Sequence, residues 1–181
     1  MCMARVNPFP PVVSDERRAE QLSDLRPLVV RTVRLVVGAG SAIAEDAAQE
    51  ALLELDRALP QLREPRAARA YAARIAARVA LRIARRERRF RLLGLVERQI
   101  ELPEPRQPAD LVELKHAFDS LPPRQRAVAV LRLYVGLSEQ ETAEALGCGI
   151  GTVKRQLHDA RAALRRYLRP EMNEENRGGR A

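Results

Sequence analysis

Ser138-Glu139-Gln140-Glu141-Thr142-Ala143-Glu144-Ala145-Leu146-Gly147-Cys148-Gly149, followed by Ile150-Gly151-Thr152-Val153-Lys154-Arg155-Gln156-Leu157-His158-Asp159-Ala160-Arg161, decides how the chain folds. Ser138 and Glu141 are spaced as a capping box, the hydroxyl and the carboxylate each satisfying the other's free backbone amide. The helix they start is short, because Gly147 stands where a left-handed C-cap is needed. After the turn Gly147-Cys148-Gly149, the residues Ile150, Val153, Leu157, Ala160, Leu164 and Leu168 recur at helical spacing. They predict a long last helix over about 150–168, closed by Pro170. A short helix, a glycine turn and a long basic helix are the parts of a helix-turn-helix.

The stripe leaves Gly151, Thr152, Arg155, His158 and Asp159 facing outward, with Lys154, Gln156 and Arg161 at its margins. Outward residues early in a recognition helix meet base edges in the major groove. Arginine there pairs with guanine and glutamine with adenine, which suits Arg155 and Gln156. Lys154, Arg161, Arg165 and Arg166 suit phosphates, which position the helix without reading sequence. The alternative is an amphipathic packing helix with a solvated basic face.

Upstream, Pro122 and Pro123 suit the first turn of a helix over about 122–135, with Ala127, Val128, Leu131 and either Tyr134 or Val135 inward and Gly136 as its stop. A further helix is expected near 110–120. Residues 92–109 contain Pro103, Pro105 and Pro108 and read as a linker with a short helix at its start. Before it, three helices are expected. The first spans Leu22 to Val37, with Leu22, Leu25, Leu28, Val29, Val33 and Val36 inward. The second runs from the cap Ser41 to about Leu59, with Ala44, Ala47, Ala48, Ala51, Leu52, Leu55 and Leu59 inward. The third runs from about Arg66 to Phe90, with Tyr71, Ile75, Ala76, Val79 and Ile83 inward. The result is an all-α chain of two small helical domains, 21–91 and 110–169, joined by a linker over 92–109 and flanked by tails 1–20 and 170–181. One continuous bundle with a long loop is the alternative.

Composition supports the helical reading and adds a partner class. The 181 residues carry 32 Lys+Arg against 24 Asp+Glu, a formal charge of +8, with 3% aromatics and no Trp. Only Lys115 and Lys154 are lysines. Alanine, leucine and arginine favour helix, and β-branched and aromatic residues are too sparse for a sheet. The basic balance implies a polyanionic partner, nucleic acid above all. Charge is also segregated. Between Ser41 and Asp56 stand five acidic residues (Glu45, Asp46, Glu50, Glu54, Asp56) and no basic one, whereas eleven arginines against Glu64 and Glu87 give the stretch after Pro60, to Arg91, a local +9.

Other chemistries find little support. Cys2 and Cys148 make no disulfide framework, and His116 and His158 complete no metal-ligand set. There is no glycine-rich phosphate loop or triad pattern, so neither a cofactor nor an enzymatic activity is expected. Glu45 and Asp46 are adjacent on a first helical turn, where the helix dipole accounts for them. No apolar run approaches the roughly 18 residues of a membrane span. The start, Met1 to Arg5 and then Pro8, Pro10 and Pro11, lacks an apolar signal core, so the cytoplasm is the expected compartment.

The wording of the second domain goes further than its shape. Leu121-Pro122-Pro123-Arg124-Gln125-Arg126, Gly136-Leu137-Ser138, Ala143-Glu144-Ala145-Leu146-Gly147, Gly151-Thr152-Val153-Lys154 and Ala160-Arg161-Ala162-Ala163-Leu164 resemble the promoter-binding domain of a sigma factor. Ala44-Glu45-Asp46-Ala47-Ala48-Gln49-Glu50 with Arg74-Ile75-Ala76 resembles the same family's promoter-melting domain. With these two domains alone, the chain is similar to the small extracytoplasmic-function group of bacterial sigma factors, over roughly Leu22 to Leu168.

The resemblance implies a transcription initiation factor. Thr152, Lys154, Arg155, Gln156, His158 and Arg161 would bind the −35 element as duplex. Arg63, Arg66, Arg74, Arg78, Arg82, Arg85 and Arg86 would hold the −10 element and its opened strand. Asp46, Gln49, Glu50 and Leu53 would dock on the clamp helices of the β′ subunit of core RNA polymerase. An anti-sigma factor is a further implied partner, and a monomer is expected when free, since the apolar stripes are already used. Some positions depart from the family's habit. Arg78 stands for its usual Asn, Arg82 for an acidic residue and Tyr71 for Trp; an aromatic is missing near Asp56. Gln156 and Asp159 replace basic residues, and Thr142 replaces an apolar one. Two alternatives follow: a helix-turn-helix regulator that does not join polymerase, and a sigma-like interaction module without promoter opening.

Overall fold

The structure is a computed structural model that describes residues 15–38, 43–62, 65–92 and 116–168. The Ser41 cap, Arg63, most of the expected linker and both chain ends lie outside the described residues. Every described element is helical, and no strand occurs among them.

Helix α1, Asp15–Val37, begins well before Leu22, inside the segment read as a tail. Asp15 and Glu16 occupy its first turn, where negative charge complements the helix dipole, and Arg18 pairs with Asp56 of the next helix at 3.1 Å. Apolar periodicity is blind to such a turn because its side chains are exposed. Helix α2, Ile43–Ala58, buries Ala44, Ala47, Ala48, Ala51 and Leu55, then tightens into a 3-10 turn, Leu59–Gln61, around Pro60.

Helix α3, Pro65–Leu92, is the centre of the molecule. Ala72, Ala73, Ile75, Ala76, Ala77, Val79, Ala80 and Leu81 are all buried, which is far more than one stripe. Alanine lets neighbouring helix axes approach closely. As a result α1, α2 and the helix-turn-helix all pack against α3. Arg74, Arg78 and Arg82 recur along one line of the helix, and Arg69 is exposed nearer its start.

Helix α4, Pro123–Ala129, continues as a π-helical turn, Val130–Val135, where an α-helix was expected throughout. Gly136, at φ +85°, ends it, and the wide turn lets the Leu137 amide donate to the Leu131 carbonyl at 3.0 Å while Leu137 enters the core. Val135 is half-buried and Tyr134 exposed, so Val135 takes the inward place. Helices α5, Glu139–Leu146, and α6, Ile150–Leu168, form the helix-turn-helix, with Gly147 in the left-handed conformation between them. Of the predicted α6 stripe, Val153, Leu157, Ala160 and Leu164 are buried, but Ile150 is exposed. Thr142 is fully buried with its hydroxyl unpartnered.

One core runs from Leu28 and Val33 through Leu55, Ile75 and Val79 to Phe118, Leu131 and Leu164. The two helical groups read from the sequence thus share an interior. A smaller cluster, Val128, Ala143, Val153 and Leu157, lies within the helix-turn-helix. The joint between the groups is pinned by Arg126, only 8% exposed, which donates to the carbonyls of Asp119 (2.8 Å) and Leu121 (3.0 Å) and pairs with the Asp119 carboxylate. Burial pulls the Arg126 pKa down and Asp119 opposes this. Its guanidinium fills the space beside Gly38 at the end of α1, where a Cβ would lie 2.7 Å from Nη1. Gly38 also sits at φ +110°, which side chains rarely adopt, so that close approach is open to glycine alone.

The capping box forms as expected. The Glu141 amide donates to Ser138 Oγ at 3.1 Å and the Ser138 amide to Glu141 Oε2 at 2.7 Å. The hydrogen bonds from Ser138 hold the Glu141 carboxyl below its usual pKa. A lowered carboxyl pKa contributes stability that is present above the unfolded value and lost as pH falls through the folded one. Ser138→Ala is therefore expected to lower stability by about 1 kcal/mol at neutral pH. The deficit should shrink as pH falls below the ordinary glutamate range and Glu141 protonates. Urea denaturation of both proteins across this range checks it.

Candidate nucleic-acid and polymerase interfaces

Three charged surfaces emerge, one on each of α6, α3 and α2. On α6, Lys154, Arg155, His158 and Arg161 are exposed, and Thr152 and Gln156 are half-buried beside them. Val153 and Leu157 anchor the same two turns from behind, so the N-terminal half of α6 is held rigidly with its basic face open. Lys154 pairs with Glu139 at 3.6 Å, a contact between the first turn of α5 and the second turn of α6. Asp159 is half-buried and follows His158 on the same helix. All six residues proposed from the sequence for this surface therefore lie along one stretch of helix, four of them exposed.

On α3, Arg74, Arg78 and Arg82 recur every four residues and share a line with the exposed Arg85, Arg86 and Arg89. Arg63 lies outside the described residues, and Arg66 falls in the first turn of α3. The line does not face open solvent throughout. Arg78 pairs with Glu54 and Arg82 with Glu50 (2.8 Å), both carboxylates on α2, and Arg74 approaches Glu144 of α5 at 3.8 Å. Beyond these pairs, Arg78, Arg82, Arg85, Arg86 and Arg89 form one wall of a cleft whose other wall is the end of α5, from Glu144 to Gly147. Glu54, Glu144 and Arg89 were not among the residues expected from the sequence. The acidic run containing Glu54 is visible there, but its register against α3 is set by tertiary packing alone.

On α2, Asp46, Gln49, Glu50 and Leu53 stand at i, i+3, i+4 and i+7 and are all exposed. Leu53 is 59% exposed, the highest among the large apolar side chains described. It sits in the middle of a carboxylate-rich face whose opposite side is buried alanine. Among the described residues no ion pair joins Asp46 to the arginine line, whereas Glu50 belongs to both surfaces through Arg82.

Among the described residues, no group of three or more His, Cys, Asp or Glu is placed to hold a metal ion. Cys148 is a free, half-buried thiol in the turn before α6. None of the helices in these residues is long and apolar enough to cross a membrane.

Comparison with known proteins matches this geometry to a family. Residues 22–90 match the model of sigma-70 region 2, and residues 111–164 that of sigma-70 region 4. The chain is 36% identical over 166 residues to the ECF RNA polymerase sigma factor SigD of Mycobacterium tuberculosis, covering 84% of this chain and 78% of that protein. It is 34% identical over 139 residues to SigE of Mycolicibacterium smegmatis, covering 72% and 54%. Among solved structures, the sigma factor RpoE of Bartonella quintana, in complex with the anti-sigma factor NepR, shares the fold with a TM-score of 0.65 at 22% identity, over 84% of this chain and 97% of that one. CnrH, in complex with the cytosolic domain of CnrY, does so with a TM-score of 0.59 at 22% identity, over 88% and 93%. Two region models in the expected order and relatives matched over most of their length place this chain in the extracytoplasmic-function group of the sigma-70 family, the bacterial transcription initiation factors.

Proposed function

We propose that the three charged surfaces divide the work of a sigma factor. The exposed face of α2, Asp46, Gln49, Glu50 and Leu53, docks on core RNA polymerase through the clamp helices of its β′ subunit. The open face of α6 reads the −35 element, with Arg155 and Gln156 toward base edges and Lys154 and Arg161 on phosphates. The arginine line of α3 holds the −10 region and its displaced strand. The chain works in the cytoplasm, as a monomer when free, and catalyses nothing; its contribution is binding energy spent on promoter choice and opening. An anti-sigma partner is part of the reading, supported by the two structural neighbours, both solved in complexes. The domain division 21–91 and 110–169 is likewise proposed as the functional one, supported by the separate region matches.

One observation carries the polymerase assignment: a face that is acidic, exposed and centred on a solvent-facing leucine. Acidic side chains repel DNA, and an exposed leucine gains most from a protein partner that buries it, about 25 cal/mol per Å² of apolar area. A regulator that binds DNA without polymerase has no use for such a face. The pair Asp46→Lys and Leu53→Ala leaves the α2–α3 ion pairs intact. It is expected to weaken binding to core polymerase at least about ten-fold with an unchanged melting temperature. Unchanged polymerase affinity on a sizing column or in a fluorescence titration refutes the docking assignment.

The −35 assignment rests on Arg155, exposed one helical turn into α6. Arg155→Ala in the holoenzyme is expected to lower discrimination between a matched and a scrambled −35 duplex by about 1–3 kcal/mol. Overall DNA affinity at fixed salt should change less. Equal losses on both duplexes remove Arg155 from sequence readout and leave it a phosphate contact.

A further inference from the structure

The first half of the arginine line of α3 is already occupied. Arg74, Arg78 and Arg82 each meet a carboxylate, Glu144, Glu54 and Glu50 respectively, and these come from two different helices on either side of α3. A carboxylate beside a guanidinium occupies the same donor fork that a phosphate would take. We infer that Glu50, Glu54 and Glu144 form a built-in stand-in for the DNA backbone, which covers the strand-binding line in the free chain and is withdrawn when polymerase binds. The inference rests on the proposed role of α3 and specifies how that site is regulated.

The switch follows from where the carboxylates sit. Glu50 lies on the face given to polymerase, within one turn of Asp46, Gln49 and Leu53, and Glu54 is the next residue along that row. A cationic partner surface that takes up Glu50 and Glu54 leaves Arg82 and Arg78 without their partners. Those arginines then gain more from a phosphate than they did before. Glu144 belongs to the other helical group, so Arg74 is freed when α5 moves off α3. By thermodynamic linkage, polymerase and the promoter strand strengthen each other's binding. Exposure makes the device easy to throw: the side chains of Arg78 and Arg82 are 60% and 58% exposed, and pairs in such positions are individually weak and salt-sensitive. A row of phosphates that engages several arginines together displaces them once the carboxylates have another partner. Arg85 and Arg89, farther along the cleft wall, mark where the strand continues past the covered segment.

The test measures binding of a fluorescent single-stranded oligonucleotide to the full chain at low salt, without polymerase and then with it. Glu50→Gln, Glu54→Gln and Glu144→Gln together are expected to tighten binding to the free chain by roughly ten-fold, the product of three weak pairs. A control with equal charge removed from α1, Glu16→Gln, Glu20→Gln and Asp24→Asn, should gain no more than about two-fold. Adding Arg78→Ala and Arg82→Ala to the triple variant should abolish the gain. Should the triple variant melt early, Glu54→Gln alone decides, with about a two- to three-fold gain expected. No gain, in a protein whose holoenzyme loses strand binding on Arg78→Ala and Arg82→Ala, overturns the masking and leaves the strand-binding site standing. A gain that survives the arginine changes, or that the α1 control matches, also overturns it, since bulk charge then explains the effect. Strand binding indifferent to Arg78 and Arg82 in both states overturns the site and the masking together.

Discussion

Helix α3 can be packed against from several directions only because most of its buried positions are alanine. Larger side chains there would hold α1, α2 and the helix-turn-helix farther from its axis and open the core between them. The same constraint decides where its charge goes. With Ala72, Ala73, Ala76, Ala77 and Ala80 turned inward, Arg74 and Arg78 between them fall on one line that Arg82 continues. Close packing and a concentrated basic edge are therefore two results of one pattern. That edge faces α2 on one side and α5 on the other, which is why carboxylates from both reach it.

Elements whose local chemistry is self-sufficient were legible from the sequence. The helix over 139–146, its Ser138 box, the glycine turn and the helix over 150–168 all depend on neighbours within a few residues, and they appear in the structure as read. The inward residues of α2 follow the same logic. Features set by distant partners were not legible. The first turns of α1 are tied down by the ion pair of Arg18 with Asp56, and the π turn at the end of α4 accompanies the entry of Leu137 into the core. Arg126 reads as one more surface arginine, yet it is buried against Gly38 some ninety residues earlier. Nothing local in the sequence could pair those two.

The candidate surfaces show the same division. The residues on α6 were found because helical spacing puts them on one outward face, and those on α2 because the resemblance implied them. For α3, the local charge found the arginines but not what they touch. Glu54 and Glu144 belong to the site through tertiary register, and with them a basic helix that looked simply available to DNA becomes one held by its own protein. Arg82 and Glu50 had been assigned to different partners, and their contact is what couples the two assignments.

The shared core makes the free chain a single closed body, and the withdrawal of Glu144 from Arg74 inferred above requires its halves to part when polymerase takes it up. Resonance energy transfer between dyes on the exposed residues Arg31 of α1 and Arg161 of α6, with Cys2 and Cys148 replaced by serine, tests this most directly. One narrow, high-efficiency population is expected for the free chain, with a shift to lower efficiency on adding core polymerase. A broad, low-efficiency distribution in the free chain would contradict it, as would a narrow one that polymerase leaves unchanged.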